Sequence, residues 1–241
     1  MKTKKAKSTL IQHFWTWFTK HQEEIRTPAT GTNYISEFWE KECRLHLQAI
    51  DRRLGFEIWH MPEKNEHWLI ITAFGQAKCF PLVDAIVEQA PYLKGWTFLA
   101  LFPPTEPDFL LAQRHDLDRF NPLDLVFSPL FLQLTASDDD MLILYANDDR
   151  EVTEADEDAI WDLLYNLIGE RSLCSRYSSL IVMPKPDLPD ELIGEMRPIT
   201  ALVDYFPAEA MSALRIDSRG KIKQNKDSDG RRFLSQSEED E

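Results

Sequence analysis

The stretch Phe56–Pro104, FEIWHMPEKNEHWLIITAFGQAKCFPLVDAIVEQAPYLKGWTFLALFPP, runs through a strand, a turn, a second strand, a helix and a third strand in succession. Phe56, Ile58 and His60 alternate with Glu57, Trp59 and Met61, the period of a strand with one wet face. After a polar turn at Pro62–Glu66, Trp68–Phe74 is a nearly unbroken apolar run, which reads as an inner strand buried on both faces. Gly75 opens the exit turn, and Phe80, Val83, Ile86, Val87 and Ala90 space a helix of about three turns that Pro91 and Gly95 stop. Trp96–Phe102 is another apolar strand, closed by Pro103 and Pro104. Strand, helix and strand joined this tightly predict a right-handed parallel crossover with the hairpin strand antiparallel beside it, a β-β-α-β unit over residues 55–104.

Residues 123–186 repeat the plan. Leu123, Leu125 and Phe127 alternate, Ser128 and Pro129 interrupt, and Phe131–Leu134 resumes, as in a bent or bulged edge strand or two short ones. Asp138–Asp140 make a turn, and Met141–Ala146 is a buried strand. Thr153 with Asp156 three residues on resembles a capping box, and Glu154, Glu157 and Asp158 put acid at the positive end of the following helix. Ile160, Leu163, Leu164, Leu167 and Ile168 form its buried face, Gly169 its end, and Tyr177–Met183 the returning strand before Pro184 and Pro186. Because either unit alone leaves sheet edges exposed, the expectation is one joined mixed sheet.

Before these units, Ile11, Phe14, Trp15 and Phe18 at i, i+3, i+4 and i+7 mark an amphipathic helix that Ser8 or Thr9 caps. Ile35, Phe38, Trp39, Cys43, His46, Leu47, Ile50 and Leu54 mark a second helix. The sequence therefore divides into a flexible N-terminus at 1–7, a helical hairpin at 8–54, the first unit at 55–104, and a polar connector at 105–122. The second unit at 123–186, short helices at 187–214 and a disordered tail at 215–241 complete it. The fold class is α/β (α+β).

The 241-residue chain is 43% hydrophobic, enough for a real core, and carries 27 basic and 41 acidic residues for a net charge of −14. The ends hide part of the acidity. Setting aside the four Lys of residues 1–7 and the seven basic and seven acidic residues of 215–241 leaves 16 basic against 34 acidic residues, or −18, in the body. Such a body repels polyanions, so neither nucleic acid nor an anionic membrane is expected as a partner, and a basic protein is. Cys43, Cys79 and Cys174 form neither a C-x-x-C motif nor an even disulfide set, which points to the cytoplasm. Polar Gln12, His13, Thr16 and Thr19 interrupt any signal-peptide core, and no apolar run is long enough for a membrane span.

Four segments, HFWTWF (13–18), FWEKECRLHLQAIDRRLGFEI (38–58), LIITAFGQAKCFPLVDAIVEQAPYLKGW (69–96) and LLYNLIGERSLCSRYSSLIVMP (163–184), are similar to a family of bacterial proteins known only as a domain of unknown function. The resemblance extends over residues 10–205. Its most distinctive pieces are Ala90, Pro91, Gly95 and Trp96, and the helix end Asn166–Glu170. Asn166, Gly169, Glu170 and Arg171 match the typical helix end. The resemblance implies a fold unit and no substrate or catalytic residue.

The candidate sites are carboxylates. The run 138–158 has ten acids and one Arg but no Asp-x-Asp-x-Asp-Gly calcium loop. Its two clusters sit at opposite ends of a strand roughly 20 Å long and cannot share one ion. Asn147, Asp148 and Asp149 end a buried strand just before a helix, where α/β sheets often hold ligands, although an ordinary turn and helix cap is the favoured account of them. Glu170 and Arg171 follow the helix end. Arg171 suits the helix dipole, whereas Glu170 gains nothing from it, so Glu170 serves a contact elsewhere, Arg171 or Arg176 being the simplest partner. His60, His67 and His115 have no metal spacing, and no nucleophile or phosphate-binding motif occurs. The sequence predicts no catalytic residue, metal site or cofactor. It points to a non-catalytic acidic adaptor or immunity-like protein that binds another protein. The alternative is a metal-dependent enzyme or small-ligand protein using Asn147–Asp149 and Glu170.

Overall fold

The computed structural model describes residues 4–26, 35–61, 65–105, 122–129, 132, 141–146, 152–184, 194–206, 214–216 and 222–224. Most of the connector at 105–122, the turns at 62–64 and 138–140, residues 147–149 and the chain beyond 224 lie outside them. The chain divides into two compact units, residues 1–102 with 213–226, and residues 103–212 with 227–241.

In the first unit, α1 (Lys4–Arg26) begins four residues earlier than Ser8, inside the segment expected to be flexible. Lys7 lies in its first two turns, and its ammonium donates to Asp51 at 3.2 Å. The predicted stripe of Ile11, Phe14, Trp15 and Phe18 is nearly inaccessible, and Ile25, outside it, is buried as well. The Trp15 indole N–H donates to the Ile86 carbonyl at 2.8 Å, so the one polar atom of a buried ring is satisfied. Helix α2 (Glu37–Ile50) starts at Ser36, whose hydroxyl accepts from the Trp39 N–H, and buries Cys43, Leu47 and Ile50. Phe38, expected on that face, is 61% exposed. Nine residues at about 100° each set it on the opposite side of the helix from Leu47.

Strands β1 (Gly55–Met61) and β2 (Glu66–Thr72) form the expected antiparallel hairpin. A 3-10 turn (Ala77–Cys79) and α3 (Phe80–Val87) lead to β3 (Trp96–Ala100), which pairs parallel with β2. Trp68–Ala73 and Trp96–Leu101 are buried throughout, as a strand covered on both faces requires. Gly95 holds φ +80 before β3, a backbone that L side chains rarely adopt, and a Cβ there would also meet the Arg26 guanidinium at 3.0 Å.

The sheet does not stop at β3. β8 (Leu214–Ile216) pairs antiparallel with β3, and β9 (Ile222–Gln224) with β8, giving the order β1-β2-β3-β8-β9. Residues 215, 216 and 222–224 were expected in a disordered tail. The open edge of β3 supplies the reason for the difference, because unpaired main-chain groups recruit a strand with little help from side chains. Ile216 stands opposite Phe98 and is 4% exposed.

The second unit has its own sheet. β4 (Val126–Phe127) follows a 3-10 turn (Pro122–Asp124) and pairs antiparallel with β5 (Met141–Ala146). After α4 (Glu154–Ile168) and a short α5 (Glu170–Cys174), β6 (Ser179–Pro184) returns parallel to β5. The two-residue β7 (Arg197–Pro198) flanks β4, a 3-10 segment (Ile199–Tyr205) follows it, and the sheet order is β6-β5-β4-β7. Leu142 and Leu144 of β5, Leu164 and Ile168 of α4, and Ile199 and Leu202 meet in one core. The capping box is present in full: the Thr153 hydroxyl accepts from the Asp156 N–H, and the Thr153 N–H donates to the Asp156 carboxylate at 2.9 Å.

Both units thus have the β-β-α-β plan, antiparallel then parallel, that the sequence predicts. The described strands form two sheets where one joined sheet was expected. Each unit extends its own sheet with a short added strand, β8 beside β3 and β7 beside β4, so that side of each three-stranded set is paired within its own unit. No described helix is long and apolar enough to cross a membrane.

Candidate functional site

Gly169 turns the chain at the end of α4 with φ +81 and ψ 141. Its N–H still donates to the Tyr165 carbonyl, while its own carbonyl accepts from Leu173 N–H in the next helix. Glu170 is therefore the first residue of α5 as well as the residue past α4. The expectation that it gains nothing from a helix dipole is corrected by this second start, where a carboxylate sits at the amino end. Glu170 is completely buried.

Two groups that feel the Glu170 charge, Cys174 and Tyr165, were not among the candidate site residues. Cys174, one turn on, has its thiol pushed up to about 12, first by burial and then by the Glu170 charge. The Tyr165 phenol is raised by burial first, then by Cys174 and Glu170. Spacing was the available signal, since Asn166, Glu170 and Cys174 follow at i, i+4 and i+8. Asn166 is tied down locally: its side-chain amide donates to the Asp162 carbonyl at 2.8 Å, and its own carbonyl accepts from the Thr105 N–H. Arg171 is half-buried in the first turn of α5. Asn147, Asp148 and Asp149 lie outside the described residues.

Among the described residues of this unit, α4 carries the densest set of accessible carboxylates. It carries Glu154, Asp156, Glu157, Asp158 and Asp162 and neither Lys nor Arg. Asp156 is used by the cap, which leaves Glu154, Glu157, Asp158 and Asp162 exposed. Glu154, Asp158 and Asp162, at i, i+4 and i+8, run along one side. Trp161 and Tyr165 lie beside them, ring centroids 6.0 Å apart, half-buried against the core. The Asp162 carboxyl is held above its ordinary range, first by loss of water around it and then by Asp158. Each such like-charge pair costs a helix about 0.2–0.5 kcal/mol. A cation brought to this side relieves that repulsion, and the two rings offer it π faces.

In the first unit, the hairpin register sets His60 directly opposite His67, with ring centroids 4.6 Å apart and the planes nearly parallel. His67 also lies 5.4 Å from Trp96. Its imidazole is pushed down to about 4 by burial, then by His60 and Arg26. A base whose folded pKa is lowered is held neutral, so its contribution is fully present above the unfolded value near 6.5. That contribution is lost as pH falls from about 6.5 to about 4. Allowing for the water that still reaches the ring, this unit loses about 1–2 kcal/mol over that window. Denaturation midpoints at pH 7 and pH 4.5 measure it, and His67→Gln removes most of the difference. An unchanged difference in that variant would assign the acid sensitivity elsewhere. Among the described residues no three His, Cys, Asp or Glu side chains are grouped to hold a metal ion.

No family model, no curated protein and no solved structure matches the chain.

Proposed function

We propose that the protein is a non-catalytic, acidic, cytoplasmic binding protein of the adaptor or immunity type, and that the exposed side of α4 takes a basic segment of a protein partner. The observation that carries this reading is a fifteen-residue helix with five acids, no base, and aromatic rings alongside the acidic line. A solvated helix that served only the fold would gain stability from Lys or Arg four residues after its Glu and Asp, and α4 has none. The net charge of −14 acts in the same direction, accelerating the approach of a basic partner at low salt.

A Lys/Arg-rich peptide titrated into the full chain by calorimetry tests the proposal. The dissociation constant is expected to rise at least about tenfold between 50 and 300 mM salt, since exposed charges are screened beyond about 10 Å at 0.1 M. The double variant Asp158→Asn/Asp162→Asn is expected to weaken binding at low salt by a similar factor. Affinity unchanged by salt and by the double substitution would rule the reading out.

A further inference from the structure

Residues directly opposite one another on an antiparallel pair carry their side chains on the same face, close enough to share one small ligand. In the first unit the hairpin does this with two imidazoles, His60 on β1 and His67 on β2, stacked with their planes 22° apart. The pair is half anchored and half free. β2 is an inner strand paired on both sides, the His67 N–H donates to the Gly95 carbonyl at 2.8 Å, and Trp96 packs beside the His67 ring. His60 stands exposed on the outer strand. The Nδ1 atom of His67 is buried and has no hydrogen-bond partner, so a ring nitrogen is left unused at the point where the two imidazoles meet.

Two imidazole nitrogens that bind one tetrahedral ion at about 2.0–2.1 Å lie about 3.3 Å from each other. The ring centres here are 4.6 Å apart, and rotation of the exposed His60 about its own side-chain bonds closes the difference while His67 stays fixed. We propose that His60 and His67 together chelate a transition-metal ion of the zinc, nickel or copper class, which ties β1 to β2. Imidazole selects these ions over magnesium and calcium, which prefer oxygen donors. Among the described residues no third His, Cys, Asp or Glu joins the pair, so the remaining positions hold water and binding is micromolar, weaker than in a closed structural site. The Arg26 guanidinium, which reaches this corner from α1 and lies against Gly95, opposes a cation, and its Glu23 partner at 3.7 Å offsets part of that charge.

Thermal denaturation of the full chain with and without about 1 mM Ni2+ at about pH 7.5 tests this. A dissociation constant near 10 µM favours the folded state about a hundredfold at that concentration, which raises the midpoint by at least about 3 °C. The same concentration of Mg2+ gives no shift, which separates the imidazole pair from the carboxylates of α4. His60→Ala, at an exposed side chain, keeps the metal-free midpoint and abolishes the nickel shift. If that variant does not fold, the unmodified chain decides, because substoichiometric Ni2+ is expected to broaden the ring-proton resonances of His60 and His67 before those of any other histidine. No shift with Ni2+, an equal shift with Mg2+, a nickel shift that survives in His60→Ala, or broadening that spares these two rings would each overturn the proposal.

Discussion

Replacing Phe18 with alanine is expected to destabilise the first unit by about 3–5 kcal/mol, the cost of truncating a fully buried aromatic side chain. Phe18 has no exposed surface and sits at the centre of a ring cluster. Trp96 and Phe98 of β3 meet it edge-on at 4.9 and 5.8 Å, and Trp15 of its own helix at 5.9 Å. This cluster fixes α1 on the sheet, so the loss combines lost burial, lost edge-to-face contacts and a cavity that close packing cannot readily collapse. Urea denaturation followed by tryptophan fluorescence measures it, since Trp15 and Trp96 both report from the cluster. Leu45→Ala, at a side chain 53% exposed on α2, is the matched control and is expected to stay within about 0.5 kcal/mol of the parent. A Phe18→Ala loss below about 1 kcal/mol would mean that α1 is not docked as described.

Gly169→Ala is the second large effect, about 2–3 kcal/mol on the second unit. At φ +81 and ψ 141 an alanine strains its own backbone wherever its methyl group points. Relaxing that strain unwinds the junction between α4 and α5 that keeps Glu170 buried at a helix start. The variant is therefore expected to lower the thermal midpoint and to speed proton exchange at the Leu173 amide, which bonds to the Gly169 carbonyl. A midpoint unchanged within error would show that this junction is not strained.

What the sequence made legible was whatever rests on local pattern. Trp68–Phe74 and Trp96–Phe102 read as inner strands because both faces are apolar, and α4 was marked by Thr153, Asp156 and the acidic first turn. Non-local pairing was not legible. β8 and β9 carry little beyond Leu214, Ile216 and Ile222, and only the unpaired edge of β3, more than a hundred residues away in the chain, gives them a reason to be strands. His60 and His67 have no suggestive spacing, because a hairpin register brought them together. Phe38 belonged to an apolar stripe drawn too wide. Glu170 was singled out for the wrong dipole: a second helix begins where the first one ends. The acidic side of α4 was visible as composition, while its alignment with Trp161 and Tyr165 needed the helix to be placed.

The most direct test of α4 as the binding surface is a residue-resolved one, amide chemical-shift mapping of the labelled full chain during titration with a Lys/Arg-rich peptide at low salt. Perturbations concentrated on Glu154–Tyr165, including the Trp161 indole N–H, and reversed by added salt are predicted. Shifts that spare this helix, or none at all at millimolar peptide, would contradict the account.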